Sequence, residues 1–294
     1  MTNALRQRLT SAVLIFSLFS AAVVWLPTMG VWAVLVVISA LASLEFYNLL
    51  DRAGIPSFRA LGVIGGSALI TAAVFSIRRI SASADDMDLS TVLKTYDWEW
   101  FVLFGIVMVI SLRQFPQKHN DKPLATIACT LLGVLYVPFL FNFVTKLLFA
   151  WGLATGKLLV LYLVLVVKFT DVGAFAVGSL FGRHKLLPRI SPKKTWEGCI
   201  GGIIAALLAS GVFLWVSDGK IGAIAVGRPH MLVLGLMLGI VGTLGDLVES
   251  LLKRAANTKD SGSLIPGFGG ILDILDSLLL SAPALYIYAR LFLW

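Results

Sequence analysis

The chain is predicted to be an all-α polytopic integral membrane protein with about nine transmembrane helices and a cytoplasmic amino terminus. Three observations lead there. Hydrophobic residues fill 58% of the 294 positions and charged ones only 14%, with a mean hydropathy of +0.91, so polar side chains are too few to coat a soluble domain. Apolar windows of about 20 residues, the length that crosses a bilayer as a helix, recur along the chain. Lys and Arg also fall unevenly on alternate sides of these windows, fifteen on the amino-terminal side and eight on the other, with Lys168 inside a span. An excess of positive charge marks the cytoplasmic side.

The windows lie near 10–27, 30–50, 60–77, 99–112, 124–145, 156–178, 197–217, 231–252 and 271–292. The first follows Arg6 and Arg8 as in a signal peptide, but a second window comes almost at once, so it is expected to be a retained helix. The fourth is short and begins at Glu99, and its upstream boundary is expected to reach Tyr96. Removing any one span would reverse every later loop, so the charge count also checks their number and sets the carboxyl terminus outside. With no repeat, heptad or change of composition, a single transmembrane domain 1–294 is expected, its catalytic part at about 156–294. The net charge of +8 and pI of about 9.6 are read as topology signals, and no nucleic-acid partner is expected. Cys129 and Cys199 stand alone in apolar runs, without disulfide or zinc spacing.

Chemistry gathers between Gly242 and Ser277. Asp246 and Glu249 are three residues apart, as are Asp273 and Asp276, so on helices each pair shares a face with about 4.5 Å of rise between its members. Four such anions beside apolar helices would repel one another and resist desolvation. Either lysines neutralise them or a metal does, and facing pairs would form the oxygen cage that hard divalent cations take. Between the pairs lie Lys253, Arg254 and Lys259, then Pro266, Gly267, Phe268, Gly269 and Gly270 before an apolar run. Backbone amides at such a helix start, with cations beside them, suit phosphate.

Upstream, Lys168 and Asp171 are spaced for mutual neutralisation, and Asp171 opens a run dense in polar and turn residues that ends Ile190, Ser191, Pro192, Lys193, Lys194, Thr195, Trp196, Glu197, Gly198. Ser191 or Thr195 is expected to cap the next helix, with Glu197 in its first turn. Capping leaves the two lysines unexplained, and lipid headgroups or a substrate phosphate would both suit them. His184 is read as a solvated loop residue. For Glu45, beside Tyr47 at the cytoplasmic end of its span, an interfacial carboxylate and a functional role are equally good readings.

The order Ser250-Leu251-Leu252-Lys253-Arg254, Lys259-Asp260, Pro266-Gly267-Phe268-Gly269-Gly270, Asp273 and Asp276-Ser277 resembles the carboxyl-terminal signature of the CDP-diacylglycerol synthases, or phosphatidate cytidylyltransferases. The stretch from Asp171 to Gly198, with SPKKTWEG, resembles a second motif of that family. Two positions depart from it: Phe268 stands where the family usually has histidine, and Ile274 where arginine is common between the aspartates. The resemblance implies condensation of phosphatidic acid with CTP to CDP-diacylglycerol and pyrophosphate, at a site facing the cytoplasm from the inner membrane. It implies that Asp246, Asp273 and Asp276 bind metal, that Lys253 is the signature lysine beside them, and that Ser191, Lys193, Lys194 and Thr195 serve substrate phosphate. Asp171, Arg254, Lys259, Gly269 and Gly270 complete the expected substrate site. The expected cofactor is Mg2+, as one ion or two. Expected partners are CTP, phosphatidic acid and membrane lipids, with a homodimer left open.

Two other functions use similar parts. A CTP-dependent lipid kinase of the dolichol or phytol type would release CDP instead of pyrophosphate. An ion-coupled transporter would also hold intramembrane Lys and Asp in glycine-broken helices, but has no need of a glycine turn suited to phosphate.

Overall fold

The computed structural model describes residues 25–82, 89–117, 120–262, 264 and 269–293. Its helices are α1 (Thr28–Arg52), α2 (Arg59–Ala82), α3 (Leu89–Arg113), α4 (Pro123–Val134), α5 (Leu140–Phe149), α6 (Leu153–Phe181), α7 (Trp196–Val216), α8 (Arg228–Ala255) and α9 (Ile271–Tyr288). Two small antiparallel hairpins interrupt them, β1 (Lys185–Leu187) with β2 (Ser191–Thr195), and β3 (Lys220–Ile221) with β4 (Ile224–Ala225). Seven spans among the described residues are long and apolar enough to cross a membrane, α4 and α5 together forming one of them. The protein is thus an all-α integral membrane protein. Each predicted window from 30–50 onward falls on helix, whereas positions 10–24 of the first lie outside the described residues.

The helix predicted from Tyr96 begins earlier, at Leu89. No Gly or Pro stands between Leu89 and Trp98 to stop it, and helix hydrogen bonding does not end where hydropathy falls. Between α4 and α5, Pro138 lacks an N–H and its ring crowds the preceding turn. The chain absorbs this as a π-helical turn, Leu135–Phe139, and continues.

The chain forms two compact units. One comprises Met1–Ala150 with Ala256–Asp273, the other Trp151–Ala255 with Ile274–Trp294. In the first, Tyr47 is fully buried and its hydroxyl donates to the Thr130 carbonyl at 2.9 Å. Gly62 and Gly133 face its ring with no room for a Cβ, so the aromatic locks α1 between two helices. In the second, α6 and α7 meet along small residues: a Cβ on Gly202 would stand 2.9 Å from the Thr170 carbonyl oxygen. Apolar side chains on both sides of such a seam gain nothing by leaving lipid, so close backbone approach carries helix association there. Leu208, Val212 and Trp215 on α7 are exposed.

Candidate active site

Three carboxylates converge in the second unit. Asp246 and Glu249 from α8 and Asp276 from α9 each bring an oxygen within 4.8 Å of the others. Gly245 makes this approach possible. A Cβ there would stand 2.6 Å from the Asp276 carbonyl oxygen and 3.0 Å from the Ser277 Cα, so only glycine lets the two helix backbones touch beside the acids. Glu249 is fully buried and Asp276 is 8% exposed.

Lysines partly compensate these charges. Lys194 Nζ lies 2.6 Å from Asp246 Oδ2, and Lys253, one turn beyond Glu249, ion-pairs with it. Lys168 Nζ is 3.3 Å from Asp171 Oδ2, as the spacing predicts, and also donates to the Ile274 carbonyl at 3.1 Å. Asp276 Oδ1 accepts from the Ser277 hydroxyl at 2.8 Å, and Ser250 Oγ reaches Asp246 Oδ1 at 3.4 Å. Asp171, Asp246, Glu249 and Asp276 thus lie among Lys168, Lys194 and Lys253, four carboxyl groups beside three ammonium groups among the described residues. An all-oxygen donor set among apolar helices fits a hard divalent cation.

The motif between α6 and α7 folds as the β1–β2 hairpin. Neighbouring side chains on a strand point to opposite faces, so Lys193 is exposed while Lys194 turns to Asp246. Of the two expected caps, Thr195 performs the work: its Oγ1 accepts from Gly198 N at 3.1 Å, and Ser191 instead begins β2. Glu197 accepts from the backbone N–H groups of Arg183 and His184, each at 3.2 Å, and its Oε1 is 2.6 Å from His184 Nδ1. His184 is the exposed loop residue expected, with a partner the sequence did not reveal. Arg254 Nε donates to the Ile190 carbonyl at 3.2 Å, tying the end of α8 to the hairpin.

Asp273 belongs to the first unit, where its Oδ2 accepts from Ser261 N at 3.0 Å, Ser261 Oγ at 2.7 Å and Gly270 N at 2.7 Å. Its bond to Gly270 is the N3-to-N-cap half of a capping box. Gly269 has φ +100°, a left-handed conformation that favours glycine, and Lys259 is exposed. Pro266, Gly267 and Phe268 lie outside the described residues. Glu45 is 3% exposed, because the segment after α8, with Ser261 and Gly262, folds over its carboxylate. Glu249 joins the cluster although the expected metal set omitted it, and its three-residue spacing from Asp246 was the available signal.

The profile of the cytidylyltransferase family matches residues 6–292. The chain is 34% identical over 260 residues to the phosphatidate cytidylyltransferase of Staphylococcus haemolyticus (strain JCSC1435), covering 88% of this chain and 89% of that protein. It is 44% identical over 137 residues to the phosphatidate cytidylyltransferase of Bacillus subtilis (strain 168), 47% of this chain and 49% of the relative, and so spans about half the length of that protein. Against the phosphatidate cytidylyltransferase of Mycobacterium bovis (strain ATCC BAA-935 / AF2122/97) it is 34% identical over 204 residues, 64% of this chain and 63% of that one.

Proposed function

The chain belongs to the cytidylyltransferase family, and on that premise we propose that it condenses CTP with phosphatidic acid to give CDP-diacylglycerol and pyrophosphate. The observation that carries this reading is the convergence of Asp246, Glu249 and Asp276, set among lysines on apolar helices. Such a site suits one reactant anchored in the bilayer and another dissolved in water.

The nucleophile is a phosphatidate oxygen that is already anionic, so no general base is required. A bond forms from that oxygen to the α-phosphorus of CTP, and the bond from this phosphorus to the bridging β-phosphate oxygen breaks. Pyrophosphate leaves with the electron pair. Positioning and charge cancellation remain for the protein. Asp246, Glu249 and Asp276 would hold Mg2+, as one ion or two, which polarises phosphate oxygens when bound. Lys194 and Lys253 supply ammonium groups to the triphosphate, and exposed Lys193 meets its outer oxygens. Ser191 belongs to the same phosphate-facing hairpin, and Thr195 holds that hairpin to α7. Arg254 fixes its far end, and Asp171 keeps Lys168 in place. For a metal role of Asp273, and for phosphate contacts by Lys259, Gly269 and Gly270, the signature is the support. A homodimer is compatible with this reading.

Product analysis tests the reaction. Purified protein given labelled CTP and phosphatidate should yield CDP-lipid and pyrophosphate. Free CDP with a newly phosphorylated lipid would instead identify a kinase and overturn the reading.

The membrane topology belongs to the same proposal: nine spans, the amino terminus and the β1–β2 hairpin in the cytoplasm, within the inner membrane. The uneven distribution of Lys and Arg supports it. Arg189 and Lys220 are exposed at opposite ends of α7. In a background lacking Cys129 and Cys199, an impermeant maleimide applied to intact cells should label Lys220→Cys and spare Arg189→Cys. The reverse pattern would invert the topology.

A further inference from the structure

Glu45 stands far from the signature in sequence and is used by none of the chemistry above, yet it is buried to 3% exposure on α1. Its Oε2 accepts from the Leu272 backbone N–H at 2.8 Å and from Ser261 Oγ at 3.2 Å, across 227 and 216 positions of chain. Oε1 has no hydrogen-bond partner among the described residues. Gly262 and Gly270 lie directly against this carboxylate, and a Cβ on either would collide with it. The Ser261 hydroxyl has one proton to give and sits nearer Asp273 Oδ2, at 2.7 Å, so the Leu272 amide is the firmer of the two anchors.

The first N–H groups of a helix have no partner within it. At α9, Asp273 takes the N–H of Gly270 and Glu45 that of Leu272. Two carboxylates therefore close the opening turn, one from α9 itself and one from α1. Asp276 follows within the next turn of the same helix. We propose that Glu45 is a positioning residue for the reaction: it fixes the start of α9 and thereby where Asp276 presents its carboxylate. The reach of the side chain matters more than its charge, because the bond it makes is to a backbone amide.

Three variants separate reach from charge. Glu45→Gln keeps an oxygen acceptor at the same reach, Glu45→Asp keeps the charge but withdraws it by a methylene, and Glu45→Ala removes both. A small displacement of a group in a phosphoryl-transfer site lowers turnover steeply, so Ala and Asp should each lower kcat about 100-fold while Gln stays within about fivefold of wild type. KM for CTP should move less than about threefold, the mark of a group that acts on the transition state.

This arm rests on the cytidylyltransferase reading; amide exchange does not. Peptides covering 269–275 should exchange about 10- to 100-fold faster in the Ala and Asp variants and stay slow in Gln, with α7 peptides unchanged in all three. A wild-type protein that makes no CDP-lipid would sink the functional reading, and the exchange arm would still decide the role of Glu45. Wild-type kcat in Glu45→Ala, an active Asp variant beside an inactive Gln variant, or unaltered exchange at 269–275 would each overturn the proposal. So would acceleration extending through α7, since that reports general loosening. If Glu45→Ala does not fold, the Gln and Asp variants decide.

Discussion

Asp276→Asn is expected to lower turnover about 1,000-fold while the protein remains folded, since several kcal/mol of charge stabilisation at phosphate corresponds to about a decade of rate per 1.4 kcal/mol. Asn preserves the shape of the side chain and an oxygen for the Ser277 hydroxyl that Asp276 Oδ1 accepts. It removes one of three anions that share a space 4.8 Å across. Folding therefore has repulsion to lose at this position, and the proposed ion would lose a ligand. The two readouts should separate: activity collapses, whereas the melting temperature in detergent holds or rises. Asp246→Asn should behave alike in turnover, although it also releases Lys194 from its 2.6 Å ion pair. Near wild-type activity in either variant would exclude metal ligation there, and a lowered melting temperature would mark the acid as a structural partner of the lysines.

Chelating divalent ions should stop the reaction, and Mg2+ should restore it. The expectation follows from the oxygen donors that Asp246, Glu249 and Asp276 bring together and from the negative charge of the two phosphorylated reactants. An ion that binds the folded state alone also stabilises it, by about 2.7 kcal/mol at a hundredfold excess over Kd. Unfolding followed with and without Mg2+ gives a readout independent of turnover. In the Asp276→Asn protein that stabilisation should shrink. Full activity in chelator, or melting indifferent to Mg2+, would remove the ion from the account.

Much of this was legible in the chain. Hydropathy windows located every described helix from 30–50 onward, because a segment in lipid must satisfy its backbone internally and a helix does so with local bonds alone. The cap on α7 was narrowed to Ser191 or Thr195, since capping spans three residues. The Lys168–Asp171 pair and the shared face of Asp246 and Glu249 followed from helical spacing. The motifs also carried the family resemblance, which the match over residues 6–292 bears out.

Other features depended on which helices lie side by side. That Glu249 meets Asp276 follows from Gly245, whose missing Cβ admits the α9 backbone. That Lys194 and not Lys193 reaches Asp246 follows from the strand pleat of β2. The partner of Glu45 lay 227 positions away. The amino-acid sequence by itself determined the helices, the two candidates for the α7 cap and the inventory of charged groups, because those depend on contacts a few residues apart. Only the tertiary structure decided which acids share a space and which carboxylate closes α9, because side chains distant along the chain meet only where small residues let backbones approach.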